Sequence, residues 1–402
     1  MIKITSETLP RFQKFLRDRE LDGWLLYDFH HLNPFAYLFL PLDEGMFTRR
    51  WFYFLPAKGA PHMMVHGIEQ DFFAHLAGER HPYSGWRELE SGLGDLLQGS
   101  RKIAMEYSPG GALPYVSMVD AGTLELVRTT GVEVVSSADI IQYFHSRWTP
   151  AGYRIHKATV PLVNEIRENA FRDIARAIRD GQAITEYDIQ QQIVAAFGDA
   201  GLEFDHPPIV AVNAHAAQPH YEPSAKSSAP IKKGDLVLID LWCKRAGEPE
   251  ATYVDITWTG FVGEKVPEKI AQVFNVVREA RDTAVAFIAH RLAAGQSVMG
   301  GEVDDACRQV IEQAGYGEYF THRTGHSIDT EVHGAGVNID HLEVRDDRTL
   351  IPGVGFSIEP GIYLPGEFGI RSEIDCYIDE SGVEVTTAPS QEEVLPLLAL
   401  WQ

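Results

Sequence analysis

Residues 354–379 read VGFSIEPGIYLPGEFGIRSEIDCYID, and this stretch decides the fold of the C-terminal part of the chain. Its two apolar runs, VGFSIEPGIYLP and GIRSEIDCYID, predict β-strands separated by a turn that contains proline and glycine. Glu359 and Glu373 stand inside these runs, 14 residues apart, a spacing that suits an antiparallel pair. A buried carboxylate without a partner is costly, so we expect each glutamate to meet a cation, hydrogen-bond donors or a metal.

Two aspartates repeat this pattern earlier in the chain. Asp240 ends the apolar run LVLID and Asp255 ends the run ATYVD, 15 residues apart. A single aspartate after a strand is more often a turn or cap residue, but a pair on two strands that read as neighbours favours a shared role. Two such carboxylate pairs repel each other strongly unless divalent ions bridge them. The pattern therefore predicts a metal site.

A histidine in the segment THRTGHSIDTEVHG would give this site a nitrogen ligand. His326 directly follows Gly325, where the backbone can approach closely, and His333 lies seven residues further on. The same segment partly matches the G-x-S-x-G motif, with Ser327 as nucleophile. The last glycine of that motif is missing, and the segment does not lie between a strand and a helix, so we favour metal chemistry over a serine hydrolase.

The order of these residues resembles that of one known family. The segments LIDLW, YVDITWT, TGHSIDTEVH, SIEPGIY and GIRSEID carry Asp, Asp, His, Glu and Glu in the ligand order of the pita-bread-fold metallopeptidases, which include prolidase and aminopeptidase P. The resemblance covers the chain from about residue 153 to its end. It implies a pita-bread catalytic domain that binds two divalent metal ions through Asp240, Asp255, His326, Glu359 and Glu373.

The resemblance also implies roles for other side chains. His220, in VNAHAAQPHYEPS, and His333, in EVHG, match histidines that contact the substrate carbonyl or the tetrahedral intermediate. Glu359 would shuttle a proton, and Arg371, in the GIR pattern, would orient the site. His215 stays open, because a histidine without a motif is more often a hydrogen-bonded structural residue.

The activity implied by the resemblance is that of a metal-dependent Xaa-Pro dipeptidase, a prolidase that acts on small proline-containing peptides. Our hypothesis is that a hydroxide bridging the two ions attacks the carbonyl before proline, because a bound metal lowers the pKa of water to about 7. Manganese suits the ligands best, with cobalt or zinc as alternatives. The alternative functions are an Xaa-Pro aminopeptidase for longer peptides, a creatinase-like hydrolase, and a non-catalytic pita-bread binding protein.

Three positions depart from the family pattern. Trp258 replaces an arginine that usually follows the second aspartate, Asp329 stands where glycine is usual, and Gly334 stands where a glutamate often follows the second histidine. The five ligands are intact, but substrate selection is affected, since arginines near such sites clamp carboxylates. The candidates for an aromatic wall of the proline pocket are Trp242, Tyr221, Phe356 and Trp258.

The segment before residue 150 predicts an α/β domain. Strand-like runs (DGWLLYD, RRWFYFLP, KIAMEY, VEVVSS) alternate with helix-like runs (EQDFFAHLAG, DAGTLELVR). The Pro/Gly pair in RWTPAG favours a boundary near residue 150. We predict an α+β protein in which residues 1–150 resemble the N-terminal domain of prolidases and creatinases and residues 151–402 form the catalytic domain. The resemblance further implies a homodimer.

Helical periodicity marks four segments of the second domain. They span residues 153–180, 185–201, 268–292 and 301–314, and in the first we expect Ile155, Leu162, Ile166, Ala170, Ile174 and Ile178 near one face. Strand-like runs at PPIVAV, DLVLIDLW and ATYVDITWTG separate the second and third helices. The order of elements predicts a mixed α and β architecture.

Bulk properties exclude several classes of protein. The formal net charge is −22, which repels nucleic acid and anionic membranes, so we expect neither as a partner. The three cysteines form no CxxC pair, which argues against a disulfide framework and a thiolate metal site. We find no signal peptide and no apolar run of about 20 residues, and therefore expect a cytoplasmic protein.

Overall fold

The computed structural model describes residues 2–42 and 45–401. The chain divides into two compact units, Met1–His145 and Ser146–Gln402. This division lies a few residues before the boundary that the Pro/Gly pair predicts. No helix within the described ranges combines the length and the apolar character needed to cross a membrane.

The first unit is built on a six-stranded mixed sheet. Its strands are β1 (Gly23–Asp28), β2 (Trp51–Pro56), β3 (His62–His66), β4 (Glu79–Tyr83), β5 (Lys102–Met105) and β6 (Glu133–Ser136), in the order β4-β3-β2-β1-β5-β6. Its helices are α1 (Leu9–Asp18), α2 (Pro34–Phe39), α3 (Trp86–Leu96), α4 (Ala121–Thr129) and α5 (Ala138–Ile141). The strands β1, β2 and β5 are almost fully buried because helices pack against the sheet, as the apolar runs predict, whereas β4 at the edge is largely exposed.

One of the helices that the sequence predicts in this unit does not form. EQDFFAHLAG forms only a 3₁₀ turn at Gln70–Phe73, since Phe73 and Leu76 are its only buried large apolar residues and cannot anchor a longer helix. The sequence reading also missed β3, β4 and α3. β4 contains Pro82 and charged residues, which suits a strand at the edge of a sheet.

Between residues 146 and 401, the second unit combines five α-helices with three sheets. Its helices are α6 (Pro150–Arg179), α7 (Glu186–Asp199), α8 (Glu268–Ala293), α9 (Gly300–Gln313) and α10 (Leu397–Leu400). Its strands are β7 (Leu202–Glu203), β8 (Ile209–Val212), β9 (Leu236–Arg245), β10 (Val254–Phe261), β11 (Ser327–Ile328), β12 (Gly355–Ile358), β13 (Gly361–Leu364), β14 (Phe368–Arg371), β15 (Ile374–Asp379), β16 (Gly382–Val385) and β17 (Leu395–Pro396). β9 and β10 pair antiparallel along their length and form the floor of the candidate site.

Local sequence explains where the helices of this unit begin. Thr149 caps α6 by accepting from the amide of Gly152, with Pro150 in the first turn. Thr185 and Asp188 form a capping box at the start of α7. In α6 the middle of the expected apolar face is buried, whereas Ile155, Leu162 and Ile178 are half-buried because the packed face also uses Val160, Val163 and Phe171.

The two C-terminal runs are each broken into two strands at their glutamate. β12 pairs with β15 up to Ile358↔Ile374, and β13 pairs with β14 from Gly361↔Arg371. The register is the same on both sides, so Glu359 and Glu373 face each other across the break. The expectation that these residues lie inside continuous strands is wrong, because their amides bond to other segments, Glu359 to the carbonyl of Thr324 and Glu373 to that of Thr257.

Candidate metal centre

Four carboxylates and one imidazole meet in the second unit. Asp240 lies on β9, Asp255 on β10, His326 just before β11, and Glu359 and Glu373 at the strand breaks. His326 Nε2 lies 3.3 Å from Glu359 Oε1 and 3.7 Å from Asp255 Oδ2. Ligand atoms of Asp255, His326 and Glu373 all lie within 4.8 Å of one another. The structure thus brings together the five residues that the sequence predicts to form a metal site.

Strand register places the two aspartates on one face. Asp240 pairs with Thr257, and Asp255 precedes Thr257 by two residues, so all three side chains point to the same side of the sheet. The Thr257 hydroxyl donates to Glu373 Oε2 at 2.7 Å. β9 and β10 are therefore connected directly to the glutamates at the breaks.

Backbone contacts fix the orientation of His326. Its Nδ1–H donates to the carbonyl of Ser327 at 3.2 Å, which leaves the Nε2 lone pair for a ligand. Its amide donates to Ser357 Oγ at 3.0 Å. Gly325 lets this segment approach β12, since a Cβ there would lie 2.0 Å from the carbonyl oxygen of Ser357.

Arg371 is the buried cation of this cluster. Its Nη2 bonds to Asp240 Oδ2, its Nε donates to the hydroxyl of Thr257 at 3.1 Å, and its Nη1 donates to the hydroxyl of Tyr363 at 3.0 Å. Its Nε also lies 3.9 Å from Glu359 Oε2. These contacts are consistent with the predicted orienting role, and they give Asp240 Oδ2 its hydrogen-bond partner.

The single guanidinium of Arg371 cannot balance the charges of four ionised carboxylates. Burial, followed by the charges of neighbouring carboxylates, raises the pKa of Asp255 and of Glu373 well above the usual range. Burial raises the pKa of Glu359 to about 7, against the opposing charge of Arg371. Within the described part of the chain, Asp240 Oδ1 and Asp255 Oδ1 are buried without a hydrogen-bond partner. Hard carboxylate oxygens and one free imidazole nitrogen fit divalent cations, which would satisfy these atoms.

The two other predicted histidines lie beside this cluster and reach solvent. The ring of His333 meets that of His326 edge-on, with centroids 4.4 Å apart. Partial burial, followed by the charge of Arg323, lowers the pKa of His333. The charge of His220 also lowers this pKa, whereas the charge of Asp240 raises it. His220 lies in the exposed loop that follows Asn213–His215. Both are thus placed where a molecule entering from solvent can contact them.

Glu186, in the first turn of α7, supports the candidate site, although its sequence context shows no sign of this role. It is fully buried and accepts hydrogen bonds from the amides of Val212 and Ala229, the hydroxyl of Tyr221 and the ring of His215. The ring of His215 stacks on Tyr221 at 4.2 Å. His215 is therefore a structural partner of Glu186, and together they hold the loop that carries His220.

Two further residues contact the candidate ligands or their partners. Asp375 accepts from the amide of Asp255 at 2.9 Å, and burial raises its pKa well above the usual range. Tyr363 accepts from Arg371 and donates to Nε2 of His322, whose Nδ1–H donates to a carbonyl. Acids and tyrosines near strand ends are common, so only the fold identifies these two.

The departure at Trp258 lies on the other face of the sheet. Asp255 and Thr257 face the cluster, so Trp258 points into the apolar core beneath α6, where the guanidinium of Arg167 stacks 3.6 Å from its ring. Phe356 is also fully buried in a core. The expectation that these two aromatic rings are candidates for the proline pocket is wrong, and Trp242 and Tyr221 remain.

The departures at Asp329 and Gly334 are sterically coupled. A Cβ on Gly334 would lie 2.5 Å from Asp329 Oδ2 and 2.9 Å from the hydroxyl of Ser327. Asp329 is 2% exposed, and its Oδ2 has no hydrogen-bond partner among residues 2–42 and 45–401. A side chain at position 334 would therefore enter space that the carboxylate of Asp329 occupies.

This coupling predicts a non-additive pair of substitutions. Gly334→Glu should destabilise the protein by about 1–3 kcal/mol, because its Cβ collides with Asp329. Combining it with Asp329→Gly should recover much of that loss, which gives a coupling energy of about 0.5–3 kcal/mol in a double-mutant cycle. Urea unfolding of the four proteins measures it. Effects that simply add would contradict the steric link.

The raised carboxylate pKa values predict how stability changes with pH. Above pH 7 the metal-free folded state holds protons on Glu359, Asp255 and Glu373 that the unfolded chain has released, so raising the pH to 8.5 should lower the free energy of unfolding, by roughly 0.4 kcal/mol from Glu359 alone. Manganese should reverse this trend, since it binds ionised ligands.

Thermal and urea unfolding at both pH values, with and without the metal, measures this trend. Glu359→Gln is the matched control and should show a flatter dependence on pH, because the group that titrates near pH 7 is absent. A metal-free protein that becomes more stable between pH 7 and 8.5 would show that the cluster does not hold these protons.

Comparison with known proteins shows which family of enzymes this chain resembles. The model of Metallopeptidase family M24 matches residues 162–380. The chain is 35% identical over 258 residues to an Xaa-Pro dipeptidase of Lactobacillus delbrueckii, a match that covers 61% of this chain and 64% of that protein. It is 34% identical over 215 residues to the probable dipeptidase PepE of Mycobacterium tuberculosis, covering 53% and 52%. The chain spans about half the length of the first curated relatives it matches.

A solved structure supports the fold. The crystal structure of dipeptidase PepE from Mycobacterium ulcerans superposes with a TM-score of 0.69 at 22% identity and covers 97% of both chains. The α+β, pita-bread architecture expected from the sequence is confirmed, and so is the resemblance on which it rested. The chain belongs to metallopeptidase family M24.

Proposed function

We propose that this protein is a prolidase, a dinuclear metal enzyme that hydrolyses the peptide bond before proline in dipeptides. The observation that carries the proposal is the convergence of Asp240, Asp255, His326, Glu359 and Glu373 in one buried cluster. Among the described residues, Asp240 Oδ1 and Asp255 Oδ1 of this cluster are buried without a hydrogen-bond partner. Three buried carboxylates beside a fourth, partly buried one destabilise a protein that binds no cation there, because burial and mutual repulsion both cost free energy.

The five residues would hold two ions, with manganese the metal that suits them best. Bound divalent ions polarise a carbonyl and bring the pKa of water from 15.7 to about 7. Glu359 would accept the proton from the water that attacks the carbonyl carbon, and would return it to the proline nitrogen as the C–N bond breaks.

His333 and His220 would contact the substrate at its carbonyl. His333 packs against His326, and a donor there is well placed to stabilise negative charge on the carbonyl oxygen. His220 depends on the loop that Glu186 holds. Arg371 would keep Asp240 and Glu359 in place, since it contacts both and stays charged at all relevant pH values.

The names of relatives and two aromatic side chains bear on the size of the substrate. One relative is named an Xaa-Pro dipeptidase and others are named dipeptidases, which favours short peptides. Trp242 points to the same face as Asp240, and its indole N–H donates to Asp205 at 2.8 Å. Its ring and that of Tyr221 are the aromatic surfaces that we assign to the proline side chain.

Peptide hydrolysis with added manganese tests the proposal. We expect the dipeptide Ala-Pro to be cleaved with a kcat/KM at least about tenfold above that of Ala-Ala, because an apolar pocket that fits the ring discriminates by about 1–3 kcal/mol. The tripeptide Ala-Pro-Ala should be a poorer substrate than Ala-Pro. Liquid chromatography of the released amino acids measures all three rates.

Asp255→Asn serves as the control for contaminating peptidases. It preserves the shape of the side chain but removes a charged ligand, so hydrolysis of Ala-Pro should fall by at least about a hundredfold. Cleavage of only the tripeptide would show an aminopeptidase instead. A protein that binds manganese and cleaves none of the three peptides would rule out the proposed activity and leave the binding-protein alternative.

A further inference from the structure

A second cluster of metal-ligand side chains lies on the first unit, outside the centre described above. His62 on β3 and Glu79 and His81 on β4 present ligand atoms that all lie within 4.8 Å of one another. The closest approach is between His62 Nδ1 and His81 Nε2, 3.2 Å apart. Glu79 Oε2 lies 3.9 Å from His62 Nδ1.

Strand register explains why these three side chains meet. β3 and β4 run parallel with His62 paired to Glu79 and Met64 paired to His81. Paired residues of neighbouring strands point to the same side of a sheet, and so do residues two apart on one strand. His62, Glu79 and His81 therefore share one face of a two-strand ribbon that includes the edge of the sheet.

We propose that His62, Glu79 and His81 form a zinc site on the first unit. Two nitrogens bound to a tetrahedral zinc at about 2.0–2.1 Å lie about 3.3–3.4 Å apart, close to the distance observed between the two imidazoles. Two histidines and one carboxylate are a known zinc ligand set, in which water completes the fourth position. A small rotation of the exposed Glu79 side chain would bring its Oε2 to a similar distance from His62 Nδ1.

Access and charge favour occupancy by a cation. The side chains of His62 and Glu79 are 36% and 68% exposed, so an ion can enter directly from solvent. Glu79 neutralises part of the charge of the ion, and the net charge of −22 attracts cations to the protein as a whole. A bound ion would clamp the edge strand β4 to β3, because it would join ligands from both strands.

A direct hydrogen bond between the two imidazoles is the competing explanation for the short distance. It requires a proton between Nδ1 of His62 and Nε2 of His81, whereas zinc requires a lone pair on each of these atoms. The two arrangements exclude each other. Measurements of zinc content and position therefore decide between them.

Zinc binding by the full-length protein tests the site. After removal of metal with a chelator and dialysis against micromolar zinc, the unmodified protein should bind one more zinc ion per chain than His62→Gln or His81→Gln. His66→Gln is the matched control, since this histidine lies at the other end of β3, and it should match the unmodified protein. The central metal cluster is present in all four proteins, so it cancels from the difference.

Two further measurements locate the ion. Anomalous diffraction from zinc-containing crystals should show a peak between His62 and His81, and zinc should slow amide hydrogen exchange in residues 79–83 of the unmodified protein but not of His81→Gln. Equal zinc content in all four proteins would overturn the proposal, and so would a peak that appears only at crystal concentration. Neither result depends on peptide hydrolysis, so this site and the proposed activity can fail separately.

Discussion

Mutual repulsion among four clustered carboxylates, of which Asp240, Asp255 and Glu373 are buried and Glu359 is partly buried, is the constraint on which the second unit depends. Asp240, Asp255, Glu359 and Glu373 lie among apolar strands that stabilise the fold, yet their charges oppose it. Arg371 offsets part of this cost by bonding to Asp240 and approaching Glu359. The rest must be offset by protons or by metal ions, and this requirement links the chemistry of the site to the stability of the protein.

The sequence predicts the strands that carry Asp240 and Asp255 because apolar runs are a local signal. An aspartate after a single apolar run is common, so only the recurrence of this pattern, in the order of the family's ligand segments, distinguishes Asp240 and Asp255. Their strands pair as expected. The breaks at Glu359 and Glu373 could not be predicted, since their amides bond to Thr324 and Thr257, far along the chain. Trp258 is different: alternation along β10 from Asp255 already implies that its ring points away from the site.

Residues that support the ligands are hidden for a physical reason. Glu186 resembles any acid in the first turn of a helix, and only the fold shows that four donors from a distant loop converge on it. Asp329 and Gly334 likewise look like separate departures, yet they occupy one space. Similarly, the loss of the family arginine at Trp258 is accompanied by the stacking of Arg167 on its ring. Departures from a family pattern are therefore best interpreted together with their neighbours in space.

One hydroxyl shows how closely the geometry of the site depends on such neighbours. Thr257 Oγ1 donates to Glu373 and accepts from Arg371, so a single oxygen joins a proposed metal ligand to the cation that holds Asp240. A valine would fill the same volume and preserve the strand, but it would leave a buried carboxylate oxygen and a guanidinium N–H without their partner. The position of the ligands thus depends on polar contacts that shape alone does not supply. For the same reason, the alternation that brings Asp255 and Thr257 to one face of β10 fixes both a ligand and its support in a single stretch of strand.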